Sequence, residues 1–269
     1  MAMSESRVSI TINNGFAEVQ LNRPDKRNAL DMAMFYDLDK VIRKISKDKS
    51  IRAVIVSGAG DDFCSGLDIK SVMTKPVNGI KLLWKWLPGN ANLAQRVVVG
   101  WRRLPVPVIM AIHGRCWGGG TQIALGGDFR IASPEANLSI MEGRWGLIPD
   151  MGGTLTLKEI LSVDQAMEWA MSAEEISAES ALEHGLLNQV ADDPLAAARA
   201  LAEKLTIGSP DAVAGVKKLY HRAWHRDQRA VLARETFYQW RILLGKNRSI
   251  AVKKQLSDPT ISFAKRKSW

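Results

Sequence analysis

Two carboxylates, Glu142 and Asp150, stand in a stretch made mostly of apolar residues and glycines, Ser139-Ile140-Met141-Glu142-Gly143-Arg144-Trp145-Gly146-Leu147-Ile148-Pro149-Asp150-Met151-Gly152-Gly153. A carboxyl group among such neighbours is pushed toward its protonated form and can trade protons near neutral pH. The plainer alternatives are an ion pair of Glu142 with Arg144 and a capping role for Asp150 ahead of Gly152-Gly153-Thr154. Upstream, Gly118, Gly119 and Gly120 separate an apolar run at 107–112 from a segment, 121–125, compatible with a first helical turn. Backbone N–H groups left unpaired around Gly119 would favour negative charge there; otherwise the glycines only let a helix pack close to a strand. A second glycine-bearing loop, 58–68, follows the strand pattern of 51–57. Two N–H-rich loops and two candidate proton carriers together suit a site that holds a developing oxyanion while a carboxylate moves a proton beside a carbonyl.

The elements that would position these residues follow from periodicity. Residues 8–21 alternate apolar and polar around Asn13-Asn14-Gly15 and read as a β-hairpin, and 29–45 carries the spacing of a surface helix. Strand, glycine loop and helix occur twice; side by side in a parallel sheet, the two units bring both loops to the same strand ends. Residues 73–103 are less regular and hold Trp84, Trp86 and Trp101, which read as core aromatics, with a substrate-lining segment as the alternative. Residues 128–132 form another short strand. After Gly153 the pattern is helical at 154–161, 164–172, 178–183, 194–205 and 210–245.

The chain has 269 residues, enough for one large domain or a core with a helical appendage. Its first residues are polar, and no apolar run reaches membrane-spanning length, so a soluble, cytoplasmic protein is expected. Cys64 and Cys116 lie in no metal-ligand spacing. The net charge of +9 fits either a nucleic-acid surface or an anionic, phosphate-bearing substrate, although most of the basic residues are dispersed. The sequence lacks GxxxxGK[ST], GxSxG and HExxH motifs, and GxGxxG after a strand. His221 and His225 share one helical face but lack a third ligand; they read as part of a basic helix with Lys217 and Arg222, and no metal site is expected.

Five segments in order carry a resemblance over nearly the whole chain: Asn22-Arg23-Pro24 with Arg27-Asn28-Ala29-Leu30; Phe63-Cys64-Ser65-Gly66-Leu67-Asp68; residues 114–122; residues 146–153; and Ala178, Ala181 with His184-Gly185-Leu186-Leu187-Asn188. The chain resembles the crotonase (enoyl-CoA hydratase/isomerase) family. The resemblance implies an α/β fold, a spiral of ββα units at 1–195, followed by a helical trimerisation region at 196–269, with assembly as a homotrimer or a dimer of trimers. It implies an oxyanion hole from the N–H groups of Leu67 and Gly119 for an acyl-CoA thioester. Lys26, Arg27, Ala29, Ser65 and Asp68 would lie along the substrate and its coenzyme A. Phe263 with Lys265 or Arg266 would approach from a C-terminal helix. No cofactor is implied beyond coenzyme A within the substrate, and neither a membrane nor nucleic acid is an expected partner.

The departure is Gln122, where hydratases of this family place a catalytic glutamate; an amide cannot carry a proton as a base. Dienoyl-CoA isomerases pair a glutamate and an aspartate at the positions of Glu142 and Asp150, and Δ3,Δ2-enoyl-CoA isomerases use a carboxylate at the Glu142 position. The resemblance therefore implies an acyl-CoA double-bond isomerase, with Asp150 as base, Glu142 as partner acid, and Gln122 beside the substrate. A hydratase tolerating Gln122, a CoA-ester-binding protein without catalysis and, last, an RNA-binding protein are the rivals.

Overall fold

The computed structural model describes residues 6–269; the polar start read at 1–7 lies largely outside them. A hairpin opens the chain, β1 (Val8–Asn13) and β2 (Phe16–Leu21), turning at Asn14 and Gly15, both with positive φ. A 3₁₀ turn (Pro24–Lys26) leads to α1 (Met32–Lys47), whose start is capped by Asp31 accepting from the Met34 N–H at 2.8 Å. Then follow β3 (Ala53–Gly58), α2 (Ile69–Met73), α3 (Pro76–Leu83), α4 (Leu93–Arg103), β4 (Val108–Ile112), β5 (Arg115–Trp117), α5 (Gly119–Leu125), β6 (Phe129–Ala132), β7 (Asn137–Ser139) and a 3₁₀ turn (Met141–Trp145). The rest is α6 (Thr154–Ile160), α7 (Val163–Ser172), β8 (Ile176–Ser177), α8 (Ala178–Glu183), β9 (Gln189–Val190), α9 (Pro194–Leu205), α10 (Pro210–Ala223), α11 (Gln228–Leu243) and α12 (Lys246–Leu256).

The main sheet runs β1-β2-β3-β4-β6-β9, parallel at every pairing except the first hairpin; β5, β7 and β8 form a smaller sheet. Parallel strands covered on both faces read as continuous apolar runs, as β3 and β4 do. Val54, Val56, Val108, Met110 and Ile112 face the larger core, which includes Phe35 and Leu38 of α1 and Val97 and Trp101 of α4. Ala53, Ile55, Ile109, Ala111 and Ile131 face Ala198 and Ala202 of α9 on the other side. Sheet packing thus continues through α9, and the division proposed at residue 195 falls inside that helix.

Three sequence expectations change. The irregular segment contains α4, started by a capping box in which Asn92 and Gln95 satisfy each other's backbone N–H groups. The single helix expected at 210–245 is two, because Asp227 restarts the chain by capping the Ala230 N–H at 2.9 Å. Trp101 is a core aromatic, but Trp84 and Trp86 are exposed.

Candidate active site

Three short segments lie side by side beyond the strand ends. The Ser65 N–H donates to the Arg27 carbonyl at 2.9 Å, Leu30 N–H to Gly66 at 2.8 Å, and Asp68 N–H to Leu30 at 3.1 Å. On the other side, Cys64 N–H donates to Arg115 at 3.0 Å and Trp117 N–H to Cys64 at 2.9 Å. Asn28, wholly buried at positive φ, locks the first segment to the second: its Nδ2 donates to the carbonyls of Ala59 (2.9 Å) and Asp62 (2.7 Å) while its Oδ1 accepts from the Arg23 N–H. This layering brings Gly66, next to Leu67, against Gly119: a Cβ on Gly66 would lie 3.6 Å from the Gly119 nitrogen. Gly66 sits at φ +93°, and a Cβ there would come within 2.8 Å of the Trp117 carbonyl, so only glycine allows the approach. Among the described residues, neither the Leu67 nor the Gly119 N–H finds an acceptor, so both are free to donate to a ligand oxygen.

These donors open on a cleft of about 940 Å³ whose lining includes Lys26, Ala29, Ser65, Leu67, Asp68, Gly119, Glu142 and Asp150. Its wall is apolar where Phe35, Val72, Leu82 and Met151 enter. Glu142 lies beside Gly118, where a Cβ would be 3.9 Å from Glu142 Oε1. That oxygen accepts from Gln122 Nε2 at 2.6 Å, and Oε2 is buried without a partner among the described residues. Burial raises the Glu142 pKa, Gln122 opposes that rise by donating to the carboxylate, and the charge of Asp150 adds to it. Asp150 is exposed at the rim, yet its carboxyl is shielded enough from water that desolvation raises its pKa as well. The plainer alternatives for both carboxylates fail. Arg144 points to Glu175, at 3.9 Å, and to the Ala173 carbonyl, while α6 has Gly153 at its N-cap position and no side-chain cap.

Other expected residues fall elsewhere. Asp68 lines the cleft but is engaged: Arg23 Nη1 reaches it at 2.8 Å and it caps α2 through the Ser71 N–H at 3.0 Å. Arg27 is exposed outside the lining, its Nε 3.9 Å from Asp62. Gln122 stands behind Glu142, wholly buried on α5, and not against the substrate space. Phe263 and Lys265 lie on a segment after α12 without regular secondary structure, not on a helix. The Arg52 guanidinium stands 5.6 Å from the Phe263 ring centroid, at the start of β3, and the cleft lies beyond that strand's other end. At about 3.3 Å per residue that separation is roughly 20 Å within the chain. Arg266 is buried there too, donating to the Asp48 carbonyl at 2.8 Å.

No group of three or more metal-ligating side chains occurs among the described residues, and His221 bonds to Asp128 at 2.8 Å. Burial pushes the Cys64 thiol up to about 12, which removes it as a nucleophile. Among the described residues no helix is long and apolar enough to cross a membrane. Met73, Leu82, Leu83 and Ala94 line the cleft, so the substrate-lining alternative holds for part of 73–103; sequence reasoning missed Met141 and residues 69–72, because so short a helix carries no sign of which face meets a ligand.

The model of the enoyl-CoA hydratase/isomerase family matches residues 11–242. A mitochondrial Δ(3,5)-Δ(2,4)-dienoyl-CoA isomerase of Mus musculus is 36% identical over 208 residues, covering 74% of this chain and 63% of its own length. A carnitinyl-CoA dehydratase of Shigella flexneri is 33% identical over 222 residues, 81% of each chain. Among solved structures, an enoyl-CoA hydratase from Bacillus anthracis superposes with a TM-score of 0.86 at 28% identity, covering 96% of this chain and 98% of that one. The α/β architecture expected from the sequence is the one this relative shares. With two free N–H donors and two carboxyl groups on one cleft, and a family model spanning most of the sequence, the chain is an enzyme of the enoyl-CoA hydratase/isomerase, or crotonase, family.

Proposed function

We propose that the protein is an acyl-CoA double-bond isomerase acting on a dienoyl or 3-enoyl thioester. The observation that carries this is the pair Glu142 and Asp150 on one cleft with Gln122, an amide, at the third polar position. The Leu67 and Gly119 N–H groups receive the thioester oxygen and stabilise the enolate that forms on it. Glu142 lies beside Gly118, the chain neighbour of the Gly119 donor, which supports placing it next to the carbon alpha to the thioester. This placement favours Glu142 as the base and Asp150 as the acid, the reverse of the split drawn from resemblance.

For a 3,5-dienoyl substrate, Glu142 removes a proton from C2, the charge spreads through the conjugated system onto the thioester oxygen, and Asp150 returns a proton at C6. The double bonds move to C2 and C4, and no atom is gained or lost. The pair returns to rest when Glu142 passes one proton back to Asp150. No group beyond the substrate's own coenzyme A is required. Lys26 at the cleft edge suits the nucleotide's phosphates, and the family resemblance supports assembly as trimers or paired trimers.

A second reading, dehydration of a hydroxyacyl-CoA or its reverse, is supported by the dehydratase relative. A panel of 3,5-dienoyl-, 3-enoyl- and crotonyl-CoA separates the two. Isomerisation gives a shift of conjugation without water addition, and Glu142→Gln and Asp150→Asn each reduce it on the order of 10²–10⁴-fold while CoA-ester binding persists. Water addition to crotonyl-CoA as the main reaction, or full turnover in both variants, would sink the isomerase reading.

A further inference from the structure

Gln122 is wholly buried, and its flanks on α5, Thr121, Ile123, Ala124 and Leu125, are buried too. An amide in such a place is tolerated only when its donors and acceptor are used. Its Nε2 donates to Glu142 Oε1 at 2.6 Å. Its Oε1 accepts from two backbone N–H groups, Met151 at 3.0 Å and Gly153 at 3.3 Å. Those two donors set the orientation of the amide, since a flipped group would face N–H with N–H and leave Glu142 without a donor. Gly153 completes the fit, because a Cβ there would stand 3.3 Å from both Cγ and Oε1 of Gln122.

We propose that Gln122 is a positioning residue that, with one amide, orients the Glu142 carboxylate and clamps the backbone immediately after Asp150, setting both carboxyl groups in one frame. The proposal rests on the reading of Glu142 and Asp150 as proton carriers, and it goes beyond that reading by giving their placement a cause. A neutral amide does this without a charge. A carboxylate in its place would satisfy the two N–H groups but face Glu142 at hydrogen-bond distance, so the two would have to share a proton. With the amide, Glu142 keeps Oε2 without a partner among the described residues and shares no proton with position 122.

The test uses the full chain labelled with ¹³C at glutamate side-chain carboxyls, the Glu142 signal assigned by its loss in Glu142→Gln. In Gln122→Met the ionised carboxylate loses its donor, and the Glu142 midpoint rises by about one pH unit or more, roughly tenfold in the ionisation constant. Turnover of a 3,5-dienoyl-CoA falls on the order of a hundredfold in kcat with KM changed less than about threefold, and the acid limb of the pH profile moves up with the midpoint. Gln122→Glu titrates in two coupled steps. It exceeds Gln122→Met in kcat while the pair holds one proton and converges on it at higher pH. An unchanged or lowered Glu142 midpoint in Gln122→Met overturns the proposal. Should that variant not fold, a single, unshifted Glu142 titration in Gln122→Glu overturns it instead. If the wild type turns over no dienoyl substrate, the isomerase reading fails while the titration still decides the role of Gln122.

Discussion

Glu142 carries a conflict between stability and chemistry that pH can expose. Burial raises its pKa above the unfolded-chain value near 4.5, with the Asp150 charge adding to the rise. A carboxyl whose folded pKa is raised contributes stability fully below its unfolded pKa, and that contribution is lost as pH rises through the folded value. Above the folded value, the ionised Glu142 is a liability that the fold tolerates. Glu142→Gln removes the ionisation and keeps the side chain's shape, so this variant should melt above the wild type at pH 8, with the gap closing toward pH 4.5. Thermal unfolding across that range measures it; a gap that widens toward acid would refute the assignment. The two carboxylates were legible in the sequence because charged residues among glycines and apolar side chains are conspicuous. Their partners were not, since the Gln122–Glu142 bond joins residues from different elements and no local pattern encodes it.

At the scale of elements, strands and most helices were readable because parallel strands are uniformly apolar and the helices are amphipathic. The break between α10 and α11 was hidden because Asp227 resembles any polar residue on a helical surface until its side chain is seen capping Ala230. The docking of α10 also escaped the sequence. Lys217, read there as part of a basic face, is buried, with its Nζ 2.6 Å from Asp128 and bonded to the carbonyls of Val106 (2.8 Å) and Trp101 (3.2 Å). Asp128 also accepts from the Val108 N–H at 2.8 Å, so the pair ties α10 to the start of β4. Asp128→Asn would leave the lysine charge buried without its counter-ion, at a cost of about 3–5 kcal/mol. Replacing both, Asp128→Asn with Lys217→Met, should recover most of that loss in urea unfolding. A single variant no less stable than the double would show that the pair does not hold α10 in place.

At the scale of the whole molecule, the arrangement of loops at the strand ends followed from the repeated strand, glycine loop and helix, whereas the outer surface did not. Sequence patterns treat an apolar residue as buried, yet Phe237, Trp240 and Leu244 at the end of α11 are 57%, 60% and 78% exposed, and Met171 of α7 is 76% exposed. Only Tyr238 of the sixteen residues in α11 is buried. An isolated helix of that length is marginal in water, and most helical stability in proteins comes from burying an apolar face. Within the single chain α11 packs along α10 but leaves its Phe237 and Trp240 face uncovered, and a second copy would cover it, in keeping with the trimeric assembly proposed above. The purified protein should therefore sediment at three or six times the single-chain mass. Trp240→Glu should shift it toward the single chain and lower the helical signal in circular dichroism, because α11 then loses its partner as well as its contact. A wild-type protein sedimenting as one chain at micromolar concentration, with its helical signal equal to that of Trp240→Glu, would mean that α11 holds without a neighbour and that the exposed apolar face serves something other than assembly.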